Sequence, residues 1–274
     1  MATRFYLPSS GTAPVTPTYN SGWEDQTIAA RLRCHTYKKS TALTTVSFDD
    51  ASAANRDVLY RQYISPPLLA QTIAAQTIKF QILASETDAG NNLFTTLAIY
   101  VFSNDGTALV GTILAITRDG TEAVAGTLTN RLFSATSSEL AVSEGDRLVF
   151  EIGLSGDPGN GKSHDGSLRI GDASANDLAE DDTTTTDNNP WVEFVTGLTM
   201  RNVDYKIYSI SDDGSNTTIN YRVYEDDGVD PCGRSEVLIS TSKILSGSNT
   251  ADQCRTDLNN NELWKWGVSH STQR

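Results

Sequence analysis

The stretch Leu93 to Ile116, LFTTLAIYVFSNDGTALVGTILAI, limits the fold of this chain more than any other. Leu97, Ile99 and Val101 alternate with Thr96, Ala98 and Tyr100. Strand side chains alternate between two faces, so this register sends one aliphatic row toward a core. Asn104-Asp105-Gly106 follows. Asp-Gly predicts a hairpin, because glycine accepts the positive φ of a type I′ turn. Leu109 to Ile116, with Val110, Thr112 and Ile113, reads as the returning strand. An apolar hairpin face of this length needs a second sheet over it.

Further strands flank it. Ala29 to Leu32 reads as a first strand or a short helical turn, and Val58 to Ile64 as a strand ended by Pro66-Pro67. Thr72 to Leu83 sends Ile78, Phe80 and Ile82 inward, with Lys79 and Gln81 outward. Asp119-Gly120 closes the hairpin, and Asn130 to Ala135 and Glu139 to Val142 are shorter strands. Leu148, Phe150 and Ile152 make another inward row against Arg147 and Glu151. Ser167 to Ile170 and Trp191 to Val195 complete the set. Short strands punctuated by turns, without a long amphipathic helix, predict an all-β antiparallel sandwich of jelly-roll type.

The pattern predicts an extended N-terminal arm over residues 1–22, a sandwich over 23–197 and a small β domain over 198–274, with the boundary near Thr196-Gly197. Pro8, Pro14 and Pro17 withhold ladder donors, which suits an arm. Phe5, Tyr6, Leu7, Tyr19 and Trp23 are too apolar for a free tail. With Pro8 they form a candidate contact set, packed on their own domain or reaching a neighbouring subunit. Past the boundary, Val203 to Ile210, Thr217 to Tyr224 and Glu236 to Thr241 restart the strand pattern, with Asp213-Gly214 and Asp227-Gly228 as turns.

Composition narrows the function. The net charge of −13 repels phosphate backbones, so neither nucleic acid nor an anionic membrane surface is an expected partner. No basic and apolar leader opens the chain, and no apolar run reaches membrane-spanning length. Three cysteines, Cys34, Cys232 and Cys254, suit synthesis in a reducing cytoplasm, although Cys232 and Cys254 could pair later. His35, His164 and His270 share no metal-binding spacing.

Three motifs invite a chemical reading. Gly156 to Ser163, GDPGNGKS, matches the phosphate-loop pattern formally. That loop needs a following helix to hold phosphates, and a strand is predicted instead, so it reads as a glycine-rich hairpin loop. Asp172, Asp177, Glu180, Asp181 and Asp182 cluster on one loop without a base among them. They are hard oxygen ligands for a structural Ca²⁺, or simply a solvated acidic loop. Tyr100, Phe102, Trp264 and Trp266 are candidate interaction aromatics, for stacking a sugar or docking a subunit. No nucleophile motif is present, and scattered carboxylates do not define an acid–base pair, so no enzyme activity is expected.

A resemblance adds a setting. The segments RFYLPSSGTAPVTPTYNSGWED (Arg4 to Asp25), RQYISPPL (Arg61 to Leu68), VFSNDGT (Val101 to Thr107), EGDRLVFEIG (Glu144 to Gly153), SLRIGD (Ser167 to Asp172) and DLAEDDTTTTDNNPWVEF (Asp177 to Phe194) resemble structural proteins of tailed bacteriophages and prophages. The resemblance covers residues 3 to about 196. It implies a virion component made in the host cytoplasm and carries over no catalytic residue. The expected role is a capsid decoration or cement protein, or a head–tail accessory, bound to the major capsid protein or other virion subunits as a homo-oligomer, with a trimer favoured. The alternative is a tail or fibre module that binds host-surface glycan. No cofactor is expected beyond the structural Ca²⁺.

Overall fold

The computed structural model describes residues 2–36, 38, 40–50, 57–156, 163–172, 174–201, 203–225 and 237–258. In chain order the first strands are β1 (Thr3–Tyr6), β2 (Ala30–Arg33), β3 (Thr44–Asp50), β4 (Asp57–Pro67), β5 (Gln71–Ile73) and β6 (Thr77–Glu86). Next come β7 (Leu93–Phe102), β8 (Leu109–Glu122), β9 (Val124–Ala125), β10 (Thr129–Thr136), β11 (Leu140–Val142) and β12 (Arg147–Gly156). β13 (His164–Ile170), β14 (Trp191–Phe194), β15 (Val203–Asp212), β16 (Asn216–Glu225), β17 (Val237–Ser246) and the helix α1 (Ala251–Asp257) follow. The chain divides into two compact units, Met1–Thr199 and Met200–Arg274.

The first unit is a two-sheet sandwich. One sheet pairs β3-β13-β6, with β6 paired further to β10 and β14, and β14 to β1. The other runs β2-β4-β12-β7-β8. The series β3-β13-β6-β10 against β4-β12-β7-β8 is jelly-roll order: successive strands of the series alternate between the sheets except at the β7–β8 hairpin. The alternation has its physical consequence in the core between the sheets. Leu97, Ile99 and Val101 pair with Ile152, Phe150 and Leu148, and all are at most 1% exposed. Ile78, Phe80 and Ile82 are fully buried on β6. Phe5 of β1 packs against Phe150 of the opposite sheet in a tilted arrangement at 5.0 Å and edge-on against Phe194 at 6.1 Å, joining the two sheets.

Both sheets are also covered on their outer faces. Outside β6, Trp191 packs with Leu83 and with Leu178 of the 171–190 loop. Outside β12 and β7 lies the segment ending at Trp23. Residues 2–22 therefore lie along their own unit, the first of the two alternatives for the arm. Tyr6 and Leu7 hydrogen-bond His35 and Pro190 through their backbones, and Phe5, Leu7 and Pro8 are buried in their own unit. Burial removes Phe5, Tyr6, Leu7, Pro8 and Trp23 as a subunit-contact set: Tyr6 is half-buried, with its hydroxyl donating to Asp177, and Trp23 is 3% exposed.

Two local expectations change and a third holds. The β7–β8 turn spans Ser103 to Ala108, and only Gly106 has positive φ (+75°). The Asp105 carboxylate accepts from the Ser103 hydroxyl at 2.6 Å and from the Thr107 amide at 3.1 Å. Those bonds cap a wider loop and leave Asp105 out of the left-handed region that a type I′ turn demands. Asp119-Gly120 lies inside β8, where register shifts against β7 absorb it. A strand begins at His164, so no helix follows the glycine-rich loop, whose residues 157–162 lie outside the described set.

The second unit is a meander, β15-β16-β17, with α1. Ile219, Tyr221, Cys254 and Leu258 form its buried side. The helix was not expected from the sequence. Thr250 caps it by accepting from the Gln253 amide, Gln253 returns a bond to Thr250, and Lys243 pairs with Asp257 at 2.6 Å. Trp264, Trp266 and Cys232 lie outside the described residues.

Candidate functional site

Tyr100 and Phe102 stand on the outer face of β7, opposite the Leu97–Ile99–Val101 row. What lies over them is the segment leading into Trp23. Trp23 docks above Gly153, where an added Cβ would come within 2.7 Å of its ring and 2.0 Å of the Val58 carbonyl. Only glycine admits the indole there. The Trp23 Nε1 donates to Glu151 Oε2 at 2.7 Å. Glu151 is fully buried and also accepts from the Asn20 amide at 3.1 Å and from Gln62 Nε2 at 3.0 Å. Arg31 Nε donates to Pro17 O and Gln62 Oε1, both at 3.0 Å, and the guanidinium lies 3.8 Å above the Tyr19 ring. Gly106 brings the β7–β8 turn against the same segment, since a Cβ there would meet Val15 at 2.9 Å.

These contacts leave a cleft of about 320 Å³. Thr18, Tyr19, Asn20 and Ser21 make one wall, Tyr100 and Phe102 the floor, and Thr107 and Leu109 the far rim. No lining residue carries a formal charge. Burial, then the charge of nearby Glu151, pushes the Tyr100 phenol upward, and the Asn20 side chain opposes this. Glu151 itself is pushed up by burial, with its three donors opposing. The cleft thus presents aromatic and aliphatic carbon beside neutral hydroxyls and an amide. That combination suits a neutral, hydroxyl-rich molecule and gives an ion no counter-charge.

The structure unites residues that the sequence placed in separate sets. Tyr19 from the supposed arm meets Tyr100 and Phe102 from the supposed exposed aromatic face. The exposed face itself is corrected: Tyr100 is 4% and Phe102 9% exposed, because the segment covers them and only their edges reach the cleft. Glu151, Gln62, Arg31 and Asn20 escaped the sequence reading. A lone carboxylate at Glu151, in the otherwise apolar run Leu148 to Leu154, was the available signal.

The acidic loop does not assemble a Ca²⁺ cage. Asp177 pairs with Arg4 and with Lys38, each at 2.7 Å. Glu180 pairs with Lys79 at 2.7 Å. Asp181 accepts from the amides of Thr183 and Thr184, both at 3.0 Å. Asp182 accepts from the Leu132 amide at 2.8 Å and lies 3.4 Å from Arg131. Asp172 is 2% exposed, and its backbone is held by Thr41. Among the described residues no three His, Cys, Asp or Glu side chains are placed to hold a metal. The loop is neither a cage nor freely solvated, because basic side chains and backbone amides take up the carboxylates of Asp177, Glu180, Asp181 and Asp182. Among the described residues no helix is long and apolar enough to cross a membrane.

No protein-family model matches the chain, and no curated protein matches it. Solved structures do. A CocE/NonD family hydrolase from Staphylococcus aureus matches at 9% identity and a TM-score of 0.37, over 70% of this chain and 36% of that one. An α-amino acid ester hydrolase matches at 10% identity and a TM-score of 0.36, over 70% and 35%. A structure of infectious bursal disease virus, Gx strain, matches at 13% identity and a TM-score of 0.20, over 96% and 55%. The chain spans about a third of the length of the two hydrolases. Hydrolases among these matches overturn the expectation of a chain without enzyme activity, which is withdrawn. At this identity and these TM-scores the likeness assigns this chain no reaction and no catalytic residue.

Proposed function

We propose that this chain is a bacteriophage virion component whose jelly roll binds a neutral glycan in the cleft between residues 18–21 and the outer face of β7. The convergence of Tyr19, Tyr100 and Phe102 with the Asn20 amide and the hydroxyls of Thr18, Ser21 and Thr107 carries this reading. Sugar rings offer flat C–H faces and peripheral hydroxyls, which such a cleft complements. The charge of −13 works against sialylated or phosphorylated surfaces and leaves a neutral saccharide unaffected. Trimeric assembly would raise avidity through effective concentration, which a single shallow site needs.

Glycan-array binding of the whole protein tests this. Neutral hexose-containing glycans should bind, and Tyr19→Ala should lower that binding about tenfold or more, consistent with losing a stacking ring at an interface. Equal binding by the variant, or preference for anionic glycans, would remove the proposal.

A second reading, attachment to other virion subunits as a decoration protein, is favoured by the edge strand β8. Leu109 and Val110 are 55% and 41% exposed there, and unpaired edges recruit partners. Co-sedimentation with phage heads, abolished by Val110→Lys, would support attachment; heads that sediment without the chain would exclude it.

A further inference from the structure

Polar groups on the two sides of the cleft are held in fixed directions. Asn20 is the most constrained of them. Its backbone amide donates to Glu151 Oε1 at 3.1 Å, and its carbonyl accepts from Gln26 Nε2 at 2.9 Å. Its side-chain Oδ1 accepts from the Gly22 amide at 2.7 Å. A backbone N–H can only donate, so this bond fixes which end of the carboxamide is oxygen. Gly22 permits the close approach, since a Cβ there would lie 2.9 Å from that oxygen. The Nδ2 end is thereby turned away from Gly22. The Asn20 side chain also opposes the upward push on the Tyr100 phenol, as an N–H donor to its oxygen does. Nδ2 carries two hydrogens, so the wall at Asn20 meets a ligand as a donor.

Across the cleft the polarity is reversed. The Thr107 hydroxyl donates to Asp105 Oδ1 at 2.9 Å, and the Thr107 amide donates to the same oxygen at 3.1 Å. With its hydrogen committed, the Thr107 hydroxyl offers a ligand only lone pairs. Beside it Leu109, 55% exposed, is the cross-strand partner of Phe102, so rim and floor share one apolar corner. The cleft therefore matches an acceptor on one side, a donor on the other and a small apolar group for the Leu109–Phe102 corner.

A secondary acetamide has that make-up. It is planar and trans, so its C=O and N–H point in opposite directions, and it carries one methyl. A sugar hydroxyl accepts and donates but leaves the apolar corner in water. A 6-deoxy sugar brings a methyl without a carbonyl. We infer that the cleft selects N-acetylhexosamine units, with the acetamido carbonyl on Asn20 Nδ2, its N–H on the Thr107 hydroxyl oxygen and its methyl against Leu109 and Phe102. The inference rests on the glycan-binding proposal for this cleft, and it makes Asn20 and Leu109 the residues that determine specificity there.

Diacetylchitobiose and cellobiose form a matched pair for the test, since they differ only in carrying an acetamido group or a hydroxyl at C2 of each ring. Titration calorimetry on the whole protein should show the acetylated sugar binding about tenfold or more tightly, the size expected for one oriented hydrogen bond and one buried methyl. Asn20→Asp keeps the acceptor for Gly22 and the backbone bond to Glu151 but replaces the donor with an oxygen. It should reduce the preference about fivefold. Leu109→Ser, at an exposed position, should reduce it about threefold, and it carries the test alone if Asn20→Asp does not fold. Equal binding of the two disaccharides would overturn the selection while leaving a neutral-glycan cleft in place. A 6-deoxy disaccharide that binds more tightly than diacetylchitobiose would overturn it too, and so would a preference that both variants retain. Binding of none of these sugars would remove the glycan-binding proposal itself, and this inference with it.

Discussion

The two outer faces of the sandwich solve the same problem with opposite results. Each sheet turns a partly apolar face away from the core, and each is covered by an irregular segment. Over β6 the 171–190 loop closes completely. Arg4 bridges Asp177 and Glu193 at 2.7 Å each and stacks 3.8 Å above Trp191, whose Nε1 donates to the Leu178 carbonyl. Over β7 and β12 the N-terminal segment is pinned at Trp23 and Glu151, yet it stands off Tyr100 and Phe102 and leaves the cleft. The loop is sewn down by charges spread along it. The segment is held at one end by an indole and along its length by the Arg31–Gln62–Glu151 chain of bonds. Cover that is anchored everywhere becomes structure, and cover anchored at intervals can leave a site.

The anchors can be removed one at a time. Trp23→Ala should have the largest effect, about 3–5 kcal/mol of unfolding free energy, the range for deleting a buried tryptophan. It also strips Glu151 of a donor in a place where an unsatisfied carboxylate is costly. Chemical denaturation of the first unit would show it. A loss below about 1 kcal/mol would mean the segment is draped on the sheet without being part of its fold. Arg4→Ala should cost less, about 1–2 kcal/mol, because the side chain is 25% exposed and part of its ion-pair energy is screened. Arg4→Lys should recover less than half, since an ammonium keeps the charge but cannot bond Asp177 and Glu193 while lying flat on Trp191. Full recovery by lysine would show that charge alone closes this face.

The contrast between the two covers was hidden from the sequence, although the sheets beneath them were legible. Leu148, Phe150 and Ile152 declared their facing by alternation alone. The same alternation put Arg147, Glu151 and Gln81 outward, yet they are at most 2% exposed, because period two reports which face a residue occupies and says nothing of a third layer. That layer comes from residues far along the chain: Trp23 is 128 positions from Glu151, and Arg4 is 173 from Asp177. Turn chemistry failed for a related reason. Asp105-Gly106 and Asp119-Gly120 are the same dipeptide, and only the first turns, because the Ser103 and Thr107 hydroxyls satisfy its carboxylate. Of the cleft, the sequence showed Tyr19, Tyr100 and Phe102 as unusual aromatics, but not that they meet.

The smallest effect belongs to the acidic loop, and it separates ion pairing from metal binding as the means of closure over β6. Five carboxylates between Asp172 and Asp182 invite a cation on charge alone. Geometry assigns four of them otherwise: Arg4, Lys38, Lys79 and Arg131 approach Asp177, Glu180 and Asp182, and two amides occupy Asp181. A divalent ion would have to displace those partners and would recover only one or two ligands at each carboxylate. Adding EDTA or millimolar Ca²⁺ near neutral pH should therefore move the melting temperature of the protein by less than about 1 °C. A drop of several degrees on chelation would mean that a metal, and not the basic side chains, holds this cover down. Raised salt offers the converse check. It should weaken the loop through its half-exposed pairs while leaving the Trp23 anchor untouched, because an indole over a glycine carries no charge to screen.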